Sequence, residues 1–400
     1  MPRLHNVGLG RPTVVIMWAT CYNPSDCRLE LINLHRHRAK VTPPPQRPDQ
    51  SVSLPHWTTN LSTIRIGTRG SKLALWQAEW VAAQLTQRGH DVELIVITTQ
   101  GDSSSQSLKQ VGGQGVFTKE IQNELLAERV DVAVHSLKDL PTLPVDDLHL
   151  AAIPARETTD DCLISREGVD FESLPAQSRV GTGSSRRGAQ LLHWRSDIQV
   201  ADIRGNVDSR LRKLEEGQFD AIVLAAAGLT RLKLLDVITQ RLPVDRMLPA
   251  IGQGALGLEC RVTDHTTTGA LVALNDPRTA AAVTAERALL RALDAGCLAP
   301  VAGIGVVTED KICLTARVLS VDGSDCLDAA REDDLSTSLT RENAVGASVG
   351  GDGQSEDHPA APLDERIAQV MRQAEKIGKQ LANDLLEKGA ADLIETARRN

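Results

Sequence analysis

The 400-residue chain carries 44 basic and 52 acidic side chains, for a formal net charge of -8, and only 2% of its residues are aromatic. That length accommodates two or three domains of about 100 to 200 residues each, and the acidic balance excludes a global attraction to nucleic acid or to an anionic membrane, so any anion binding has to be local. Seven cysteines without a short-spaced paired framework fit a reducing compartment better than a disulfide scaffold, and no run of about 18 apolar residues predicts a membrane span.

Residues 1–62 read as a poorly ordered extension. Val14-Val15-Ile16-Met17 is too short for a signal-peptide core, and Asp26, Glu30 and Pro43-Pro44-Pro45 argue against a basic, acid-poor transit helix. A cytoplasmic protein is the expectation, with organelle targeting by this extension as the other reading. Regular structure begins at Ile64, where a short strand leads through Gly67-Thr68-Arg69-Gly70-Ser71 into a helix from near Leu73 that puts Ala74, Ala78, Val81 and Leu85 on one face. The turn is either a plain structural turn or a helix start presenting N–H groups, Arg69 and Ser71 to an anion. A strand over 92–98 follows. Gly112-Gly113-Gln114-Gly115 then precedes Phe117 and a helix through Leu126, which predicts a mobile loop over a crevice. Phe117 either covers that crevice or fills core. Neither a Walker lysine motif nor a dinucleotide fingerprint is present, so nucleotide binding is not inferred.

The apolar run from Val132 ends in His135-Ser136-Leu137-Lys138-Asp139. A carboxylate closing a buried strand, beside Ser136 and Lys138 and with arginine clusters elsewhere, suits a site that binds anionic groups while stabilising a developing cation; a cap or salt bridge is the bland alternative. A second α/β unit starts near Asp160. Its strand-to-helix transitions carry Ser184, Arg186, Arg187, Arg204 and Arg210, a carboxylate or phosphate clamp if they converge and surface arginines if they do not. Arg212 and Lys213 read as solvated. Residues 220–227 read as a buried strand and 248–258 as a return of the chain into a packed sheet, so that two lobes are joined by paired connections. From Pro277 come a helix over 280–293, Cys297 after a glycine turn, strand-like runs over 301–319, an acidic solvated insertion over 325–362 and a terminal helix over 367–386. The fold class is α/β. The limits are 1–62 for the extension, 63–155 with 255–275 for domain 1, 156–254 for domain 2, and 276–400 for domain 3.

Five segments, taken in order, resemble the porphobilinogen deaminase (hydroxymethylbilane synthase) family: Thr68-Arg69-Gly70-Ser71 with Leu73-Ala74-Leu75-Trp76-Gln77; His135-Ser136-Leu137-Lys138-Asp139-Leu140-Pro141; Ser184-Ser185-Arg186-Arg187; Arg204-Gly205-Asn206-Val207; and Gly252-Gln253-Gly254-Ala255. The resemblance spans roughly 64–317 and resumes in the terminal helix. It implies three domains, two of them periplasmic-binding-protein-like α/β lobes forming a cleft and the third a smaller α+β domain. It further implies a transferase of tetrapyrrole (heme or chlorophyll) biosynthesis, probing no metal chemistry, that condenses four porphobilinogen molecules head to tail, releases ammonia at each addition and finally releases hydroxymethylbilane.

The same resemblance implies a dipyrromethane cofactor attached through a thioether to Cys297, in the turn Ala295-Gly296-Cys297. Asp139 becomes the expected catalytic group. Arg186, Arg187, Lys138, Ser136, Ser184 and Arg204 are expected to hold the cofactor, and Arg69, Ser71, Arg204 and Arg210 the carboxylates of the substrate and the growing polypyrrole chain. A monomer without nucleic-acid or membrane partners is expected. Four positions depart from the commoner family residues: Gln114 for lysine, Gly183 and Ser185 for serine and leucine, and Ala295 for the first glycine before the cofactor cysteine. Without the resemblance, a noncatalytic two-lobed anion-binding protein, a generic α/β enzyme and a structural interaction protein all stay open; a covalent group on Cys297 separates the first from the enzyme.

Overall fold

Strand β1 (Ile64–Arg69) buries Ile64 and Ile66 against helix α1 (Lys72–Thr86), whose Ala78, Val81 and Leu85 recur at helical spacing on one face. The computed structural model describes residues 63–99, 118–296, 299–309, 311–335 and 363–399. The expectations for the extension, for the loop bearing Gln114 and Phe117, for Cys297 and for 336–362 lie outside the described residues. After β2 (Val92–Ile97) and α2 (Lys119–Leu126) comes β3 (Val132–Ser136), which passes directly into a single 3-10 turn, Leu137–Asp139. The strand is thus shorter than the apolar run predicts. Strand β4 (Leu148–Ala152) completes the first pass.

The second unit runs β5 (Asp161–Ser165), β6 (Arg179–Gly181), α3 (Ser185–Trp194), β7 (Gln199–Ala201), α4 (Val207–Glu215), β8 (Ala221–Ala225), α5 (Ala226–Arg231) and β9 (Gln240–Arg241). The chain then returns as β10 (Leu256–Arg261) and α6 (His265–Val272). Two five-stranded sheets result, ordered β2-β1-β3-β10-β4 and β7-β6-β8-β5-β9. In each, a parallel trio meets one antiparallel strand, β10 or β5, so the two sheets share a topology. Both faces of the second sheet are buried: Leu163, Ala221 and Val223 point into one apolar cluster, Cys162, Ile164, Ile222 and Leu224 into another. That is the period-two pattern of a sheet covered by helices on both sides.

The third part packs α7 (Pro277–Ala292) and α8 (Leu363–Glu387) on an antiparallel sheet of β11 (Val301–Val307), β12 (Lys311–Leu319) and β13 (Cys326–Asp334), with α9 (Ala390–Arg399) closing the chain. Three sequence expectations need correction. The acidic segment does not begin as a solvated insertion, because 326–334 pairs with β12 from Lys311↔Asp334 to Leu319↔Cys326. Its ladder partner satisfies the backbone and its Leu327 and Ala329 reach the core, so the charges only mark an exposed edge. Strand β8 stops at Ala225 and the alanine-rich continuation is helix. A second terminal helix, α9, follows α8. Among the described residues no helix is long and apolar enough to cross a membrane, and Cys162, Cys260, Cys313 and Cys326 form no disulfide.

Helices α7 and α8 cross closely because small residues meet: Ala281 and Ala285 on one, Ala374 and Gly378 on the other. A Cβ at Gly378 would overlap the Ala285 carbonyl oxygen and come within 2.8 Å of the Ala288 Cβ. Backbone cannot rotate away from such an overlap. Gly378→Ala is therefore expected to lower folding stability by about 1–3 kcal/mol through overpacking, despite a helix-propensity gain of about 1 kcal/mol; the denaturant midpoint measures it.

Candidate active site

Parallel strands direct their C-terminal ends to one edge of a sheet, and here the basic residues expected to bind ligand sit at such an end or in the turn and first helical turn that follow it. Arg69 and Ser71 follow β1, Lys138 and Asp139 follow β3, Arg186 and Arg187 follow β6, and Arg204 and Arg210 follow β7. The turns hold because each helix is capped from within. Ser71 Oγ accepts from Ala74 N at 3.3 Å, Ser184 Oγ from Arg187 N at 3.4 Å, and Asn206 Oδ1 from Ser209 N at 3.0 Å. Ser71 and Ser184 accept as caps, which leaves their O–H groups able to donate, and Ser136 Oγ accepts from the buried Gln77 Nε2 at 2.9 Å.

The two edges face each other. Lys72 Nζ of α1 lies 2.9 Å from Asp208 Oδ2 of α4, Leu73 packs beside Gly228, and the Arg231 guanidinium lies 5.8 Å from the Trp76 ring centre. The charged residues beyond the strand ends therefore lie where the two lobes meet. Lys138 is accessible to water there yet surrounded by protein; this partial dehydration, with Arg187 nearby, brings its ammonium from 10.5 down to about 8, against the opposing pull of Asp139 and Asp161. Arg210 is lowered to about 10 by burial and by Arg187 and Arg204, with Asp202 and Asp139 opposing. Residues of both lobes therefore share one electrostatic field. Asp139 is exposed, and its carboxylate makes no hydrogen bond or ion pair with any described residue.

The double arginine is placed differently from a free clamp. Arg186 and Arg187 are buried, and both turn to Asp161, which has no exposure: Arg186 Nη2 lies 2.8 Å from Oδ2, while Arg187 Nη2 and Nε donate to Oδ1 at 2.6 and 3.0 Å. Arg186 Nη1 donates to the Leu248 carbonyl at 2.6 Å, and Gln253 Nε2 to Asp161 Oδ1 at 2.9 Å. Burial alone would raise the Asp161 pKa, but the two arginines more than offset it and hold the carboxyl well below the usual range. Two guanidinium groups against one carboxylate leave a single net positive charge, and Arg186 Nε is buried without a partner. Arg204 donates to Asp202 Oδ2 at 2.9 Å, and Arg210 Nε to the Gly205 carbonyl at 2.8 Å.

Sequence reasoning missed Asp161, Gln253, Arg156, Arg231 and Glu286. Asp161 left a signal, since an acidic residue opening an apolar strand needs a buried counter-charge; Glu286, inside an alanine-rich helix, left none. Arg156 Nη1 and Nη2 donate to Glu286 Oε1 and Oε2 at 2.6 and 3.1 Å, and Arg231 Nη2 to the Gly254 carbonyl at 2.7 Å. Gly254 itself adopts φ +83, and a Cβ there would meet the Glu157 and Thr158 carbonyl oxygens at 2.5 and 2.7 Å. Among the described residues no group of three or more His, Cys, Asp or Glu could hold a metal.

Asp161→Asn leaves two buried guanidinium groups uncompensated and is expected to cost about 3–5 kcal/mol of stability at neutral pH. The folded-state pKa of Asp161 is depressed, so its contribution is complete above about pH 4 and fades as the pH falls toward the folded value. Denaturation curves for both proteins should thus converge in acid.

A family model for "Porphobilinogen deaminase, dipyromethane cofactor binding domain" matches residues 64–269, and one for "Porphobilinogen deaminase, C-terminal domain" matches residues 280–351. The porphobilinogen deaminase of Syntrophotalea carbinolica is 45% identical over 336 residues, 83% of this chain and 95% of that protein. That of Geobacter sulfurreducens is 51% identical over 267 residues, 66% of this chain and 84% of that protein. Among solved structures, a periplasmic substrate-binding protein of an ABC transporter from Coxiella burnetii matches at 12% identity with a TM-score of 0.35, over 53% of this chain and 91% of that one, a likeness too low to assign the fold.

Proposed function

The chain belongs to the porphobilinogen deaminase family, and from that membership we infer that it is a transferase condensing four porphobilinogen molecules into hydroxymethylbilane, with release of ammonia at each addition. The observation that carries the catalytic assignment is Asp139, an exposed carboxylate without a partner among the described residues, beside Lys138 and in the field of Arg210. Loss of ammonia from the aminomethyl group of porphobilinogen leaves an electron-deficient carbon conjugated to the pyrrole nitrogen. Asp139 stabilises that charge and assists proton transfer at the amine and at the pyrrole nitrogen. Substrate acetate and propionate groups fall to Arg69, Ser71, Arg204 and Arg210, whose guanidinium groups neutralise and orient them.

The family's dipyrromethane cofactor, when bound, supplies the primer that is extended. The residues here suit such a polyacid. The Asp161 triad keeps one positive charge and an orphaned Arg186 Nε, Lys138 adds a second cation, and Arg204, paired with Asp202, adds guanidinium donors without net charge. Arg186, Arg187, Lys138, Ser136, Ser184 and Arg204 would hold its carboxylates, with the covalent thioether at Cys297. The arginine pair is read as reorienting from Asp161 toward the cofactor or sharing its donors between them. A cytoplasmic monomer, periplasmic-binding-protein-like lobes, and domain limits at 63–155 with 255–275, 156–254 and 276–400 complete the proposal.

Incubation with porphobilinogen tests the reading directly. Wild-type protein is expected to carry a dipyrromethane mass adduct that Cys297→Ser lacks, and Asp139→Asn to keep the adduct while turnover falls about 100- to 10,000-fold. An Asp139→Asn protein with normal turnover would defeat the catalytic assignment. The lowered Lys138 pKa sets a pH dependence: its charge, and with it carboxylate affinity, declines as the pH rises through about 8. KM measured across that pH should rise in the wild type and stay flat in Lys138→Met.

A further inference from the structure

The turn that bears Asp139 is pinned at its entrance by backbone: Leu137 N donates to the Ala255 carbonyl at 3.0 Å. Its exit is held by a side chain from the third domain. Arg287 Nη1 donates to the Leu140 carbonyl at 2.9 Å and Nη2 to the Pro141 carbonyl at 2.7 Å, so one planar fork spans two consecutive peptide groups. Lys138 and Asp139 project between the two pins, exposed.

Helix α7 presents Arg287 to that turn for a simple reason of period. Ala280, Val283 and Arg287 fall three and four residues apart and share a face; Ala280 and Val283 pack with Leu137 and Leu140 in a buried apolar cluster that joins the first lobe to the third domain. Among the described residues Arg287 pairs with no carboxylate, and the two carbonyls receive its hydrogen bonds. Two charge-assisted bonds from one planar group contribute to stability, and they also fix the direction of the peptide that follows Asp139. The same helix ends at Ala292, shortly before Cys297.

We propose that Arg287 is a positioning residue: by clamping the Leu140 and Pro141 carbonyls it sets the place of the Asp139 carboxylate relative to the helix that leads into the Cys297 segment. This rests on the assignment of Asp139 and Cys297 given above. Misplacement of a reacting group by a fraction of its contact distance is felt in turnover rather than in ground-state affinity.

The test compares Arg287→Gln and Arg287→Lys with wild type by intact mass, steady-state kinetics with porphobilinogen, and hydrogen exchange of the peptide covering 137–142. In Arg287→Gln, kcat is expected to fall about 10- to 100-fold at nearly unchanged KM, with the cofactor mass retained and exchange accelerated over 137–142. Arg287→Lys, which can reach one carbonyl, should lie between. Unchanged exchange over 137–142 overturns the clamp whatever the activity does. So does a kcat loss that merely follows lost cofactor or lost folded protein, or an Arg287→Lys protein no better than Arg287→Gln. A wild type that neither carries an adduct nor consumes porphobilinogen would instead sink the functional reading, leaving the exchange result to judge the clamp alone.

Discussion

Everything in the molecule converges on one buried carboxylate. Glu286 has no exposure, yet it accepts from Arg156 Nη1 and Nη2 at 2.6 and 3.1 Å, from Gly252 N at 2.7 Å and from Gly305 N at 2.8 Å. Arg156 lies on the outgoing connection between the two lobes, Gly252 on the returning one and Gly305 on the third sheet. A buried ion is tolerated only when its lone pairs are filled, so the three parts must come together at this point or the charge is stranded. The Arg156 guanidinium reinforces the junction by donating through Nε to the Gln253 carbonyl at 2.7 Å.

The site repeats the principle with the sign reversed. Asp161 gathers Arg186 and Arg187 and, through Gln253, connects them to the returning chain. This pairing fixes two buried guanidinium groups around one carboxylate and leaves one positive charge in excess. Asp139 stands apart from the network. On the reading proposed above, a carboxylate already committed to an arginine would be poorly placed to answer a charge that appears only during reaction, which is why an unpaired one suits that role.

Local signals were enough for much of this. The turns over 67–71, 181–188 and 205–210 marked strand-to-helix transitions, and apolar runs alternating with amphipathic segments marked an α/β fold, because turns and periodicity depend on residues a few positions apart. The same locality explains the errors. Nothing within 326–334 reveals that β12 will lie beside it, whereas the alanines after Ala225 favour helix by propensity and were read as strand only because they continue an apolar run.

The sequence by itself determined which residue types stand at the ends of the strands, the family to which the ordered motifs point, and the separation of one carboxylate from several arginines. Only the tertiary structure decided what those charges face. Asp161 and Arg187 are 26 positions apart, Arg156 and Glu286 130; whether such residues pair depends on where sheets and helices bring them, and in a low-dielectric interior that placement alone separates a satisfied ion pair from a free guanidinium awaiting a ligand.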